Sequence, residues 1–575
     1  MIPGDINPAD TLQYKQGIFG LQVSAAAQGD AGGQLLQYNT GENAYTLAQK
    51  INRIQRFFVE KTRLGIPIIA FDEALHGLVR QGATAFPQAI GLAASFDTVL
   101  MRQVAAAIAS ETKARGIRDV LGPVINIATD VRWGRTEETY GEDPTLTAAM
   151  AVAYTSAFEK KGIITTPKHL IANVGDGGRD SYPIHLSERQ LKELHLPPFK
   201  AAIQQGGARS VMTAYNSVNG TASSANGWLL RNQLKKEWGF TGFVISDASA
   251  VGGEVVLHNT AASYAQSGAH AINNGLDVIF QTQYQHHQLF YPAFTDGSIQ
   301  QASMDEAVAR VLKAKFELGL FENPYVNEVE AKQWVDYKGH KALALQAAQA
   351  AIVLLKNESA NGKQQPVLPL SPYISSIAVI GQEAVAARLG GYSGPGNGSI
   401  NILQGIQQAA GKALVSYAPG AAILCPEYAT VPAAYLYNAQ GNGLQAQYFD
   451  NLTLQSNPVL TRVDKQLDFL WTLSSPDETL PADHYAARWT GQLKAPHTGQ
   501  LRIGLQANDG YRLYLNNKLL INRWTKNSYS TQLATIVIEK DKYYDLKVEF
   551  YEPAGNARIK LVWDAGIDSS WQQQL

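Results

Sequence analysis

The sequence predicts an α/β protein: a (β/α)8-type barrel, then the first part of an α/β sandwich domain, then an all-β sandwich module. Three observations carry this reading. From about residue 17 to about 320, short apolar runs rich in β-branched residues alternate with alanine-rich helical stretches. Polar residues recur where those runs end, at the edge where α/β barrels place their chemistry. After about residue 440 the texture changes to short alternating segments rich in Tyr, Leu and Thr, broken by Asn-Asp-Gly and Asn-Asn turns.

The strand candidates are 66–71, 119–121, 162–166, 210–214, 242–247 and 276–280. Between them, 99–115, 145–160, 188–205 and 260–274 read as helices. Such alternation implies a parallel sheet under covering helices, with an open doubly wound sheet as the alternative to a barrel. Two helices, 304–318 and 341–357, lead out of the barrel, and 374–381 is a new apolar strand. The domain layout is then 1–320 barrel, 321–373 linker helices, 374–437 an incomplete α/β sandwich domain, and 438–575 a β-sandwich. The glycine-rich stretch 388–396 lacks both the phosphate-loop ending and the dinucleotide spacing, so it reads as a tight loop near a site.

At 575 residues the chain exceeds one core and implies two to four domains. It is 45% apolar and 17% charged with a net charge of −1, and no basic stripe stands out, so no nucleic-acid partner is expected. A single cysteine, Cys425, excludes an internal disulfide and a cysteine metal cluster, and no metal or cofactor is expected. No apolar run is long enough to span a bilayer, and Met1-Ile2-Pro3-Gly4-Asp5 lacks the features of a signal peptide. A homodimer is compatible with the sequence.

The strand ends carry the chemistry. The run ending at Phe71 passes into Asp72-Glu73-Ala74-Leu75-His76-Gly77, and Thr165-Thr166-Pro167 passes into Lys168-His169. Val211-Met212-Thr213-Ala214 leads to Tyr215-Asn216, and Gly242-Phe243-Val244-Ile245-Ser246 leads to Asp247. After the 119–121 run comes Arg132-Trp133-Gly134-Arg135. Any one of these could be a cap or a core polar group, and Asp247 alone could begin a helix. Together they describe a pocket with carboxylates, cations, a histidine and hydroxyl-binding donors, suited to a neutral polyhydroxylated ligand. His76 reads as a backbone-orienting residue, His286-His287 as a solvated tandem, and Asp176 with Arg179 as a turn salt bridge or sugar contact. Trp471, Trp489 and Trp524 read as sandwich core by default.

These motifs, with Ala85-Phe86-Pro87-Gln88-Ala89-Ile90, Gly141-Glu142-Asp143-Pro144, Val353-Leu354-Leu355-Lys356-Asn357 and the 389–394 loop, resemble glycoside hydrolase family 3 over about residues 17–425. The module at about 440–570 resembles the protective-antigen-type β-sandwich, most closely in Asn508-Asp509-Gly510-Tyr511-Arg512-Leu513-Tyr514. The resemblance implies a retaining β-glycosidase, and a β-glucosidase acting on oligosaccharide ends is the leading expectation. Asp247 would be the nucleophile. Glu73, Arg135, Lys168 and His169 would bind sugar hydroxyls, with Tyr215 beside the nucleophile and Met212 at the same strand end. Lys168 and Arg135 would keep nearby carboxylates ionised.

In the family the general acid/base follows the inserted sandwich, and no residue here takes that place; Glu383 lies on the wrong side of the insertion. The chain is therefore expected to be a fragment of a longer protein, with periplasmic or secreted location plausible if an export signal precedes it. A β-xylosidase is the runner-up. A carbohydrate-binding protein without turnover, or an adhesion protein led by its sandwich, are rivals of another class. The native protein is expected to have an intact mass well above the 62.4 kDa of this chain, and a fully active enzyme of that mass would refute the expectation.

Overall fold

The structure, a computed structural model, describes residues 8–23, 41–282, 284–359, 366–420, 428–471, 475–477, 479–481, 483–553 and 557–565; Cys425 lies outside them. The chain divides into two compact units, Met1–Ile423 and Leu424–Leu575.

The first unit is built on parallel strand segments. Gly20–Gln22 pairs with Ile69–Asp72, which pairs with Asp119–Val120, which pairs with Ile164–Thr165. Single bridges extend the run through Val124 to Lys168 and Leu170 to Thr213. Ser210–Thr213 then pairs with Phe243–Ser246, and Ile245 bridges to Val278. The described residues thus contain seven parallel segments, where an eight-stranded barrel was expected. The 276–280 candidate contributes one bridge, not a ladder.

Alternation along each strand sorts the side chains into two layers. Ile69, Phe71, Ile164, Met212, Phe243, Ile245, Val278 and Phe280 meet in one buried cluster. Phe71 lies edge-on to Phe280 at 5.4 Å, and Phe19 meets Phe243 at 5.2 Å, so segments from both ends of the run converge. The intervening Ala70, Val120, Val211 and Val244 point the other way, into a larger cluster shared with the helices.

Local capping chemistry explains where the helices begin. Asp97 caps Thr98–Ala114 and Asp143 caps Pro144–Lys160, the latter with proline in the first turn where no N–H is needed. The 188–205 stretch is continuous but widens into a π turn over Leu191–His195 just before Pro197 and Pro198, whose missing N–H groups break the regular ladder. The expected 341–357 helix stops at Ala350. Beyond it Val353, Leu354 and Leu355 are exposed, so their apolar character has no helix face to bury here. Ser376–Ile380 is a strand as expected and pairs in parallel with Leu414–Ala418. No helix among the described residues is long and apolar enough to cross a membrane.

The second unit is antiparallel throughout. One sheet holds Gly499–Ala507, Ser530–Ile538, Ala557–Trp563 and Asp468–Trp471, and it takes in Ala429–Thr430 ahead of residue 438. The other centres on Tyr485–Lys494, Tyr543–Glu552 and Gly510–Leu515. Asn516 and Asn517 both have positive φ, the conformation a two-residue hairpin turn requires between Gly510–Leu515 and Lys518–Arg523. Leu501, Ile503, Leu505, Val548 and Phe550 fill the space between the sheets. Trp489 is fully buried there and donates its indole N–H to Asp464 at 2.8 Å, and Trp471 is also buried. Trp524 instead lies beneath the Arg512 guanidinium.

Glu552 and Asp509 share one buried spot in this unit. Burial, then the neighbouring Asp509, pushes the Glu552 carboxyl far up. An acid raised in the fold retains a proton that the unfolded chain releases above its ordinary value, so stability falls as pH rises between the two. Glu552→Gln removes that titration. Thermal unfolding from pH 6 to 9 is expected to show a declining midpoint for the unaltered protein and a flatter one for the variant; parallel curves would contradict this assignment.

Candidate active site

The polar residues at the strand ends converge. Lys168 follows the Ile164–Thr165 strand, and its Nζ donates to both carboxylate oxygens of Glu73 at 2.9 Å. Both side chains are almost sealed from water, at 2% and 6% exposure. Burial raises the Glu73 carboxyl to about 7, against the pull of the Lys168 ammonium beside it. Glu73 is itself placed by Asp72, whose carboxylate accepts its N–H at 2.9 Å and pairs with Arg80.

His169 is held by Asn126. The Asn126 amide accepts from the His169 backbone N–H at 2.9 Å and donates to its carbonyl at 2.8 Å. The same Oδ1 lies 2.9 Å from the ring Nδ1, so Nδ1 carries a proton. That leaves Nε2 as an acceptor, and Arg135 Nη2 donates to it at 3.1 Å. Burial, then Arg135, then Lys168 hold the imidazole well below its ordinary pKa, so it is neutral. The peptide joining Lys168 to His169 is cis.

Arg135 is aimed by a two-pronged pair with Glu138, at 2.9 Å for both bonds. Glu138 lies on the short turn Thr136–Glu138 that follows the arginine. Arg135 thereby links a carboxylate on one side to the histidine on the other.

Asp247 stands at the end of Phe243–Ser246. One oxygen accepts the Ala248 N–H at 2.7 Å. The other, Oδ2, is buried without a hydrogen-bond partner and lies 3.3 Å from His169 Nε2. Two lone-pair atoms that close, with a neutral ring, do not bond each other. The next helical turn starts only at Ala250, so Asp247 is not a helix cap. Burial raises its carboxyl above the ordinary value, outweighing Arg135, Lys168, the Ala248 N–H and Tyr215. Arg135 and Lys168 favour the ionised form as expected, and desolvation opposes them more strongly. Tyr215 adjoins Asp247, and its own carbonyl accepts from His258 at 2.8 Å.

Met212 is 1% exposed and packs with Ile69, Phe71 and Ile245 in the apolar layer. Asp176 and Arg179 are exposed and form no ion pair with each other; Arg179 lies over Tyr182 instead. Asp180 is the engaged residue of that turn, accepting from Trp133 Nε1 at 2.8 Å. His76 bridges the carbonyls of Phe86 and Gly391, in keeping with a backbone-orienting role. His286 is buried, not solvated.

Three residues at the site escaped sequence reasoning: Asn126, Glu138 and Tyr392. Asn126 was visible as a lone amide within the apolar run 124–127, and Glu138 as an arginine partner three residues on. Tyr392 belongs to the glycine-rich stretch and lies with its ring 4.8 Å from Lys168 Nζ.

Residues 26–314, half of the chain, match the glycosyl hydrolase family 3 N terminal domain. The chain belongs to glycosyl hydrolase family 3. Residues 440–572 match the PA14 domain. A β-glucosidase of Rhizobium radiobacter is 29% identical over 514 residues, covering 85% of this chain and 58% of the relative. A β-xylosidase of Formosa agariphila is 31% identical over 412 residues, covering 65% and 55%. A periplasmic β-glucosidase of Salmonella typhimurium is 33% identical over 393 residues, covering 65% and 49%. The chain thus spans about half the length of these family members. Among solved structures, a β-glucosidase from Erythrobacter marinus superposes with a TM-score of 0.63 at 22% identity, covering 89% of this chain and 86% of that one. A Kluyveromyces marxianus β-glucosidase in complex with glucose gives 0.56 at 24% identity, covering 89% and 62%. These likenesses establish the mixed α/β fold.

Asn126→Ala removes three hydrogen bonds to His169 and its Nδ1 acceptor. A stability loss of about 1–3 kcal/mol is expected. Nitrogen NMR on histidine-labelled protein should report the Nδ1–H tautomer for His169 in the unaltered chain; an Nε2–H tautomer would contradict the geometry.

Proposed function

We propose that this chain carries the nucleophile and sugar-binding groups of an exo-acting retaining β-glycosidase that removes terminal non-reducing β-D-glucosyl residues. The observation that carries this reading is the free, buried Oδ2 of Asp247, 3.3 Å from a neutral histidine and flanked by Arg135 and Lys168. A carboxylate there can attack an anomeric carbon through Oδ2, while its other oxygen keeps the Ala248 N–H. The C–O bond to the aglycone breaks as the Asp247–sugar ester forms, and water later cleaves that ester. Lys168, Glu73, Arg135 and His169 would take sugar hydroxyls, where charged partners discriminate strongly against a sugar lacking the matching group.

The leaving aglycone needs a proton, and no residue is assigned to supply it. Glu383 is exposed and paired with Arg388. In this reading the parallel run is a barrel-type scaffold, and the Ser376–Ile380 and Leu414–Ala418 pair is the opening of an α/β sandwich domain. A preference for xylose is the second reading, favoured by the likeness to the Formosa agariphila β-xylosidase.

A 2-deoxy-2-fluoro-β-glucosyl fluoride tests this directly, because fluoride departs without a proton. Mass spectrometry is expected to find the label on the Asp247 peptide. Labelling should rise with pH as the raised Asp247 carboxyl ionises, and Asp247→Asn should lose it by ~10⁴-fold. Label on another carboxylate would refute the nucleophile. Sugar binding with no label would favour a binding protein, and preferential labelling by the xylosyl analogue would favour the second reading.

A further inference from the structure

The sugar-binding groups are little exposed. Side-chain exposure is 1% for His169, 2% for Lys168, 11% for Asp247 and 16% for Arg135. Tyr392 packs against the two cations. Its ring lies 4.8 Å from Lys168 Nζ and 5.7 Å from the Arg135 guanidinium carbon. Its hydroxyl lies 3.4 Å from Arg135 Nη2, whose two hydrogens are directed at Glu138 and His169 Nε2. The phenol oxygen thus stands where a sugar hydroxyl could approach Arg135.

We propose that Tyr392 is a gate: its phenol holds the place of a sugar hydroxyl on Arg135 and must swing out before a sugar reaches Lys168, His169 and Asp247. The inference rests on the glycosidase reading for the identity of the entering ligand. The backbone on either side is anchored, so the movement belongs to the side chain. The Gly391 N–H donates to Glu137 at 2.8 Å, and its carbonyl accepts from Gln88 at 3.0 Å and lies 3.2 Å from His76 Nε2. Gly390 lies so close to Gln88 that a Cβ there would overlap its amide, and a Cβ on Gly394 would come within 2.8 Å of the Arg80 nitrogen. Between these anchors, the phenol is held by one long polar contact and by cation–ring contacts. A sugar offers the same cations shorter, charge-assisted hydrogen bonds, and so displaces it. Specificity follows: a ligand must present a hydroxyl to Arg135 to replace the one it evicts.

Unaltered protein, Tyr392→Phe and Tyr392→Ala are compared as full chains with two readouts. The first is acetylation of Lys168 by trace acetic anhydride, followed by peptide mass spectrometry, which measures access without turnover. The second is the rate of Asp247 labelling by the fluorosugar fluoride. If the site is open about one time in ten, Tyr392→Ala raises both rates ~10-fold. Tyr392→Phe keeps the ring but loses the hydroxyl; it raises labelling by a smaller factor and leaves Lys168 shielded. Unchanged Lys168 reactivity in Tyr392→Ala overturns the gate. Raised Lys168 reactivity with slower labelling also overturns it, because Tyr392 would then be a surface the bound sugar needs. Raised Lys168 reactivity with no label in any protein supports the cover and instead overturns the glycosidase reading.

Discussion

A lysine ammonium and a glutamate carboxylate, two hydrogen bonds apart and nearly dry, set the terms for the rest of the site. Neither Lys168 nor Glu73 is affordable alone: removing one partner of a buried pair typically costs about 3–5 kcal/mol because the other charge is left behind. The pair therefore fixes the spacing between two strand ends, one after Ile69–Asp72 and one after Ile164–Thr165. Neighbouring polar side chains brace it. Asp72 and Arg80 hold Glu73 from behind, and Asn126 holds the residue next to Lys168.

The electrostatic pattern follows from that arrangement. Burial, with the two flanking cations, keeps the histidine ring uncharged, and Arg135 is itself tied to Glu138. A protonated His169 would place a third positive group beside Arg135 and Lys168. The neutral ring instead relays a hydrogen bond and leaves one Asp247 oxygen uncommitted. A buried polar atom without a partner calls for an explanation, and a catalytic role is one. Here the uncommitted oxygen, the gate and the sealed ion pair share one small volume.

Much of this was readable in the chain before its fold was known, and the reasons are specific. Strand-end residues such as Asp247, Lys168 and Glu73 announce themselves because an apolar run stops abruptly on a charge. The Asn516-Asn517 turn is legible because few residues accept positive φ twice in succession. Asn126 and Glu138 were passed over because their role depends on a partner's position, 43 residues away for Asn126 and His169. Tyr392 is harder still: 257 residues separate it from Arg135, and no periodicity joins them. The helix expected over 341–357 overran because an apolar sequence pattern does not say where its burying surface ends. Met212 sits at a strand end as expected, but strand alternation turns it toward the apolar layer.

The clamp on Gly391 has an evolutionary consequence. It grips carbonyl and amide groups, which every amino acid possesses, and asks only that neighbouring positions stay small. The residue it presents to the pocket stands at a positive φ, which disfavours β-branched replacements and leaves other side chains open. Exchanging that one side chain would let a lineage retune which ligands enter, without redesigning the parallel strands or their ion pair. A scaffold so divided keeps its costly parts constant and exposes a single inexpensive position to selection.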